Sequence, residues 1–407
     1  MLFWITIVLT ILVIFLSTAG WFLLSDRNSD KTDFVRKLIE SRGHRLQVHK
    51  VITEDGHILT LHRVVTIDHI DDPLNPKRPI LIAHGLYCSS IDFLYTSSDI
   101  NKSGTESIIF QLLERSNYDV WMMNNRGNAF STEHINLNRS DHEYWNFSCD
   151  HLSKYDLSST IDYVRKHTKR ESIGFIGFSQ GNLLMFALLA ERPEYGRMIR
   201  PMIAWAPAAF FGHMDSPIRY AVPLLTIFRM IGGQFILFRI TNWLGYMFRP
   251  TPIVQWITAT IFRMVMGATD RSRHTDLPIW LHMFPSSGSS WQLVQHLQWV
   301  RSQCFTKFDY GSQRINQIHY GTDQPPQYDL ERIDPETIII LMRATTDTMT
   351  TKRDIDRLGT LLKRKLKIFH DVHISTDTFN HLDFIMNVDA AQLVYDDTIR
   401  YLNRYIQ

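Results

Sequence analysis

One serine of this chain lies in a pentapeptide suited to nucleophilic chemistry. Residues 177–181 read Gly-Phe-Ser-Gln-Gly, an apolar strand-like run at 173–176 precedes them, and a run of helix formers at 183–191 follows. A strand, a sharp turn and a helix present Ser179 at the apex, where glycines on either side let the backbone turn tightly. The bare pattern occurs by chance in loops, but in this context it predicts a serine hydrolase with Ser179 as its nucleophile.

The nucleophile needs an acid and a base elsewhere in the chain. A serine hydroxyl is weakly reactive at neutral pH, so a histidine must take its proton and an acidic group must orient that histidine. In the architecture built around such an elbow, the order is serine, acid, histidine. The loop after a predicted strand at 337–342 offers Asp347. Asp354 and Asp356 fall in the following helical stretch, where a solvated face is the better explanation.

Three histidines follow Asp347, namely His370, His373 and His381. His381 lies in the loop just before the last predicted helix, which is where this architecture places its base. We therefore favour His381. His370, which we place at a strand end, stays open as the alternative base.

Hydrolysis of an ester also needs donors for the negative oxygen of the transition state. Gln180, the residue after the nucleophile, offers one backbone N–H, and the loop after the third strand offers that of Leu86. His84 in the same loop precedes Ser179 in the wrong order for a base, so we expect it to order the loop.

The elements that would position these residues alternate between strands and helices. A hairpin is predicted from 47–53 and 58–66, and the segments 107–115, 155–167 and 389–405 have helical periodicity. Further strands are predicted at 80–83, 119–123, 173–176, 202–205, 337–342 and 366–369. This rhythm predicts an α/β fold with a mostly parallel sheet flanked by helices, whose chemistry collects at the carboxyl ends of the strands.

The rhythm changes in the middle of the chain. We divide the chain into 1–24, a first core part at 25–210, an insertion at 211–332 and a second core part at 333–407. Residues 223–248 are rich in Leu, Ile, Phe and Met, but charges and paired glycines argue against a membrane span there. Short apolar helices are predicted instead. Their apolar residues either pack in a core or, as the alternative, form a cap or lid beside the site that meets lipid.

The N-terminus predicts a secretory route. Residues 2–24 carry no charge, which suits either a signal anchor or a cleaved signal peptide. Sequons at Asn101, Asn138 and Asn146 support that route. Basic residues after the apolar run favour a cytosolic body instead, and we retain the luminal interpretation. We expect a secreted or lysosomal protein, or one tethered to a membrane through 2–24 with its catalytic body luminal or extracellular.

Composition excludes other classes of function. The chain has 407 residues, of which 44% are hydrophobic and 21% charged, and its formal charge of +2 makes no case for a nucleic-acid partner. Its three cysteines, Cys88, Cys149 and Cys304, lack the spacing of metal ligands and cannot form a disulfide framework.

Several short motifs in order make the chain from about residue 47 onward resemble the acid lipases of the gastric and lysosomal type, within the α/β-hydrolase fold. These motifs lie at 53–56, 83–86, 125–128, 154–157, 177–181, 206–207, 324–328 and 380–384. The resemblance implies hydrolysis of neutral lipid esters, such as acylglycerols or sterol esters, at a lipid–water interface and without a cofactor. It also implies Ser179, Asp347 and His381 as the triad and Leu86 and Gln180 as oxyanion donors.

Two departures from that family concern activity. The family commonly has histidine where this chain has Phe178, and the insertion lacks a cysteine pair that is often found there. Two alternatives therefore stand beside a lipase: a carboxylesterase for shorter soluble esters, and a catalytically silent hydrolase-fold protein that binds lipid.

Overall fold

The fold is a twisted sheet with helices packed against it. The computed structural model describes residues 28–66, 77–94, 107–116, 118–230, 260, 263–265, 267, 286–374, 376 and 378–406. Within these residues the strands are β1 His44–Ile52, β2 His57–Thr66, β3 Arg78–Ala83, β4 Tyr118–Met122, β5 Glu133–His134, β6 Ile173–Phe178, β7 Ile199–Trp205, β8 Ile338–Ala344 and β9 Ile368–Ile374. They form one sheet in the order β1-β2-β4-β3-β6-β7-β8-β9, and β5 pairs with β2.

The sheet begins with the predicted hairpin. Strands β1 and β2 pair antiparallel from His44 opposite Thr66 to Ile52 opposite Ile58. The turn between them contains Gly56 at φ +93°, a left-handed conformation that glycine adopts without steric cost. The hairpin joins the rest of the sheet through the antiparallel pair of β2 and β4.

From β4 to β9 all neighbouring strands are parallel. Apart from those of the edge strand β9, their residues are almost all buried, because helices cover both faces and leave no polar side to alternate with an apolar one. In β3, Ile80 and Ile82 join the core on one face, while Leu81 and Ala83 join the core on the other. The expected mostly parallel α/β sheet is confirmed.

The helices of the core follow the strands. They are α1 Asn28–Glu40, α2 Ile108–Ser116, α3 (Cys149–His151, a π-helical turn Leu152–Leu157, and Ser158–Thr168), α4 Gln180–Glu191, α5 Tyr195–Met198, α9 Lys352–Lys365, α10 Asp383–Met386 and α11 (π-helical Ala391–Tyr395 followed by Asp396–Tyr405). Helix α1 packs against the sheet through Val35 and Ile39, which are both fully buried in the core.

Residues 211–332 connect β7 to β8. Their described part contains α6 Leu225–Met230, α7 Ser290–Ser302 and α8 Gln313–Tyr320. This part of the chain has a small apolar core of its own, formed by Leu225, Val294, Leu297 and Phe308. The expected apolar helices at 223–248 lie mostly outside the described residues, as do residues 2–24 and Asn101. Among the helices of the described part, none has the length and apolar character needed to cross a bilayer.

Candidate active site

The elbow between β6 and α4 holds Ser179 in an uncommon backbone conformation. Its φ of 52° and ψ of −113° place a side chain with a Cβ where few residues other than glycine are found. The N–H of Ser179 donates to the carbonyl oxygen of Trp205, 3.1 Å away at the end of β7. Strain of this kind persists only where the surroundings hold it, and it is concentrated at functional sites.

The flanking glycines are required by close approach. A Cβ on Gly177 would lie 2.3 Å from Oδ1 of Asn182, and one on Gly181 would lie 2.4 Å from the carbonyl oxygen of Ala83. Both distances are far below van der Waals contact. The expectation that these glycines permit a tight turn is therefore refined: the left-handed torsion is at the serine, and the glycines let β3 and α4 approach it.

Ser179, His381 and Asp347 form one hydrogen-bonded chain. Nε2 of His381 lies 2.9 Å from Oγ of Ser179, and its Nδ1 lies 2.8 Å from Oδ2 of Asp347. His381 and Asp347 are both buried, and the serine is half-buried. Since a carboxylate can only accept, Nδ1 carries the proton and Nε2 is free to accept one from the hydroxyl. Residues from both halves of the chain meet at this point.

The carboxylate of Asp347 is held by its own loop after β8. Oδ1 accepts from the N–H groups of Met349 and Thr350 at 2.8 and 2.9 Å, and Oδ2 accepts from Oγ1 of Thr350 at 2.8 Å. These bonds fix the orientation of the carboxylate and compensate for removing its charge from water. Asp347 can therefore present a fixed acceptor to His381.

Asn380 connects the loop of the acid to the loop of the histidine. Its Oδ1 accepts from the N–H of Thr348 at 3.1 Å and from the N–H of His381 at 2.8 Å. This one amide oxygen therefore fixes Thr348, the residue after Asp347, relative to His381.

Two backbone N–H groups are available near the serine. Within the described residues, the N–H groups of Leu86 and Gln180 donate to no other group. Gln180 is the first residue of α4, where N–H groups lack helical partners and the helix dipole is positive. Leu86 follows β3 in the loop that the sequence indicated.

His84 orders that loop as a neutral side chain. Burial lowers the pKa of His84 to about 4. Its Nδ1 lies 2.8 Å from the carbonyl oxygen of Gly85, and its Nε2 lies 3.2 Å from the N–H of Asn125. A single neutral tautomer satisfies both contacts, donating from Nδ1 and accepting at Nε2. His84 therefore ties the loop after β3 to the loop after β4.

Comparison with known proteins finds relatives among the lipases. A family model described as the partial alpha/beta-hydrolase lipase region matches residues 35–97, and one for the alpha/beta hydrolase fold matches residues 78–223. Gastric triacylglycerol lipase of Rattus norvegicus is 27% identical over 329 residues, covering 79% of this chain and 80% of the relative. Lysosomal acid lipase/cholesteryl ester hydrolase of Macaca fascicularis is 28% identical over 335 residues, covering 81% and 80%.

The chain is thus similar to the acid lipases, at 27% and 28% identity over 79% and 81% of its length. It is therefore a lipase-type ester hydrolase of the α/β-hydrolase fold. A solved structure from Sulfolobus solfataricus has the same fold, with a TM-score of 0.51 at 14% identity over 89% of this chain and 95% of that chain. Another from Acinetobacter baumannii has a TM-score of 0.50 at 12% identity, covering 95% and 98%.

Three of the motifs that resembled the acid lipases meet at one buried arginine. Nη1 and Nη2 of Arg126 donate to Asp55 at 2.6 and 2.8 Å, and its Nε donates to Asp156 at 2.7 Å. Asp156 also accepts from the N–H of Arg126 at 2.8 Å. The arginine thus fixes the loop after β4. The preceding residue in that loop, Asn125, donates its N–H to His84. Sequence reasoning quoted these motifs but did not foresee this pairing, which joins residues 71 and 30 positions apart.

The alternative acids and bases are engaged elsewhere. His370 lies in the middle of β9, so its expected place at a strand end is wrong, and its Nε2 is 2.7 Å from Oη of Tyr405. His373 contacts the guanidinium of Arg343. Asp356 is half-exposed and pairs with Arg343 and Lys352.

Asp354 contradicts the expectation of a solvated face. It is only 3% exposed, and its carboxylate accepts from both the N–H and Nδ1 of His213 at 2.8 Å. His213 belongs to the insertion, so this pair fastens the start of α9 to that segment.

The predicted glycosylation sites that the structure describes are on the surface, and the cysteines form no disulfide bond. Asn138 and Asn146 are exposed, as an acceptor of glycan requires. All three cysteines are free thiols, with Cys88 and Cys149 buried and Cys304 partly exposed.

Proposed function

We propose that Ser179, His381 and Asp347 are the catalytic triad of a lipase that hydrolyses carboxylic esters of neutral lipids. The observation that supports it most directly is the continuous pair of hydrogen bonds from Ser179 Oγ through His381 to Asp347, at 2.9 and 2.8 Å. The strained elbow and the unengaged N–H groups of Leu86 and Gln180 complete the arrangement.

In the first step His381 accepts the proton of Ser179 while Oγ attacks the carbonyl carbon of the ester. The carbonyl oxygen becomes an oxyanion, which accepts from the N–H groups of Leu86 and Gln180. Asp347 stabilises the imidazolium that forms and keeps its orientation. His381 then gives its proton to the departing alkoxide, so an alcohol leaves and an acyl group remains on Ser179.

In the second step water takes the place of the alcohol. His381 accepts a proton from the water, and the hydroxide attacks the acyl carbon through a second oxyanion held by the same donors. Collapse of this intermediate returns the proton to Ser179 and releases the carboxylic acid. The balance requires only ester and water, which is consistent with the expected absence of a cofactor.

The substrate class is inferred from the relatives and from the insertion. The curated relatives carry names of lipases for triacylglycerol and cholesteryl ester. We assign residues 211–332 to a cap over the site that meets the lipid–water interface. Tyr220 and Met264 in this segment are 43% and 46% exposed, which is consistent with an apolar outer surface.

Labelling with a fluorophosphonate probe tests the nucleophile. Wild type is expected to react and Ser179→Ala to remain unlabelled at unchanged melting temperature. A folded wild type that does not label would instead support a catalytically silent lipid-binding protein.

Acyl chain length tests the substrate class. Esters of long-chain acids, presented as micelles or emulsions, are expected to be hydrolysed faster than soluble short-chain esters. The opposite order, with no gain above the solubility limit, would identify a carboxylesterase.

We also infer a secretory or lysosomal location. The names of gastric and lysosomal relatives support it, as do the exposed Asn138 and Asn146. N-terminal sequencing of the mature protein distinguishes a cleaved segment 2–24 from a retained anchor. Digestion with a glycosidase specific for N-linked glycans should lower the apparent mass, with Asn138→Gln and Asn146→Gln each removing one step.

A further inference from the structure

One segment of the insertion contacts both elements that carry the oxyanion donors. This segment, residues 286–292, comprises a stretch without regular secondary structure and the first turn of α7. Five of its residues are nearly inaccessible to solvent, with exposed fractions of 2% for Ser286, 3% for Ser287, 0% for Ser289, 5% for Ser290 and 3% for Gln292. It therefore packs as part of the interior, against the edge of the sheet where the strands end.

On one side the segment forms hydrogen bonds with Tyr87, the residue after Leu86. The N–H of Ser286 donates to the carbonyl oxygen of Tyr87 at 2.6 Å, and Oη of Tyr87 donates to the carbonyl oxygen of Ser289 at 3.0 Å. Tyr87 has a φ of 54°, a conformation that needs external support in a residue with a Cβ. A Cβ on Gly288 would lie 2.8 Å from the Tyr87 ring, so glycine at this position lets the segment pack closely against that ring.

On the other side the segment holds the side chain of Gln180. Nε2 of Gln180 donates to Oε1 of Gln292 at 3.2 Å. The opposite end of the same amide, Oε1, is 3.6 Å from Sγ of Cys149. Burial raises the pKa of the Cys149 thiol well above its ordinary value, so the sulfur remains protonated and donates. Gln180 is therefore fixed at both ends of its amide, and its backbone N–H has little freedom to turn.

We propose that residues 286–292 position the oxyanion hole, with Gln292 and Tyr87 as positioning residues that set the distance between the N–H groups of Leu86 and Gln180. The proposal rests on the function proposed above. Because the two donors lie on separate elements, after β3 and at the start of α4, a single segment bonded to both can fix their separation. Docking of the insertion and completion of the hole are then one event.

Helix α7 supplies a matched control for simple packing. Gln295 lies one turn beyond Gln292 and is likewise buried. Its Oε1 accepts from the N–H of Cys149 at 2.9 Å, and its Nε2 donates to Asp150 at 2.6 Å. Gln295 thus joins the insertion to the core with two side-chain hydrogen bonds, against the one from Gln292 to Gln180, but neither of its two bonds to the core involves Leu86 or Gln180.

The test compares Gln292→Met with Gln295→Met, since methionine keeps the length of the side chain and removes its amide. Each variant is assayed for kcat and KM on a soluble p-nitrophenyl ester, for melting temperature and for inhibition by an alkyl trifluoromethyl ketone. The hemiketal that this ketone forms with Ser179 places its own oxyanion between the two donors, so its affinity reports the geometry of the hole.

For Gln292→Met, kcat is expected to fall about tenfold with little change in KM, which is less than the about hundredfold loss of a whole donor. The ketone should bind more weakly by a similar factor. Gln295→Met should lower the melting temperature and leave both kcat and ketone affinity near wild type. Equal kinetic behaviour of the two variants would overturn the proposal.

Two further variants keep the test decisive if Gln292→Met does not fold. Gln180→Met removes the same hydrogen bond from the other side and keeps the backbone N–H, so its effect should not add to that of Gln292→Met. Tyr87→Phe removes the hydroxyl that donates to the carbonyl oxygen of Ser289 and should also weaken binding of the ketone. Wild type that fails to label with fluorophosphonate refutes the proposed function, whereas labelled wild type with unaffected variants refutes only the positioning role.

Discussion

The ring of Phe178 lies 5.3 Å from the ring of His381, centroid to centroid, with 42° between their planes. A Cβ on Gly85 would lie 3.1 Å from the same phenyl ring. Phe178 is 2% exposed, so it fills the space between the histidine of the site and the loop after β3. The family commonly has histidine here, and the structure explains how a larger apolar side chain serves in its place: it supports His381 by packing.

Phe178→Ala is expected to reduce both stability and turnover. Removing a buried phenyl ring costs about 3 kcal/mol or more in the free energy of unfolding, and the cavity would let His381 shift. Urea unfolding and kcat on a soluble ester measure the two effects. Phe110→Ala is the control, because Phe110 is 1% exposed in the same core cluster. It should lose comparable stability and keep its kcat.

Asp347→Asn should abolish most of the activity without unfolding the protein. An amide in place of the carboxylate favours the wrong tautomer of His381, an effect that costs about 10⁴-fold in kcat in serine hydrolases of this kind. Asp354→Asn is the matched control, since Asp354 is also buried and also accepts from a histidine Nδ1 at 2.8 Å. Comparable losses in both variants would contradict Asp347 as the acid of the triad.

Asn380→Ala is expected to lower kcat about tenfold through a small displacement of His381. The substitution removes the oxygen that accepts from the N–H groups of Thr348 and His381. Asn380→Asp retains an acceptor oxygen in the same place and should recover most of the activity. If Asn380→Asp is as impaired as Asn380→Ala, the amide does something other than hold these two N–H groups.

The order of elements and the proximity of Ser179, Asp347 and His381 were predictable, because their signals are local or follow chain order. The hairpin, the elbow at Ser179 and the loop with Asp347 each have signals within a few residues. No such local signal indicated that Asp354 is buried. Its partner His213 is 141 residues away, so a polar residue in a helical stretch suggested solvent. His370 was misplaced because β9 continues to Ile374 with a partly exposed pattern that resembles a loop.

Acidification is expected to destabilise the fold through buried neutral histidines. Burial lowers the pKa of His62 to about 3 and the pKa values of His84 and His296 to about 4. The unfolded chain binds protons at these residues below about pH 6.5, while the folded chain does not until about pH 4 or 3. Their contribution to stability is therefore complete above pH 6.5 and declines as the pH falls towards those values, by up to about 1.4 kcal/mol per unit for each residue.

His62→Gln isolates one of these contributions. The free energy of unfolding, measured with urea at pH 7, 6 and 5, should fall less steeply in this variant, by about 2 kcal/mol less over that interval. His142→Gln, at an exposed position, is the control for replacing a histidine by glutamine. The slope is the relevant quantity, because His62→Gln also loses the contact of Nδ1 with Ser90 and is less stable at every pH.

The strands on either side of the insertion are direct neighbours in the sheet, from Met202 opposite Ile339 to Trp205 opposite Met342. The half of the core with the serine and the half with the histidine are thus joined by strand pairing, whatever the chain does between them. Residues 211–332 can accordingly differ in length and sequence from one relative to the next without changing that register. In this sense the insertion is free to vary while the paired strands keep the two halves of the core together.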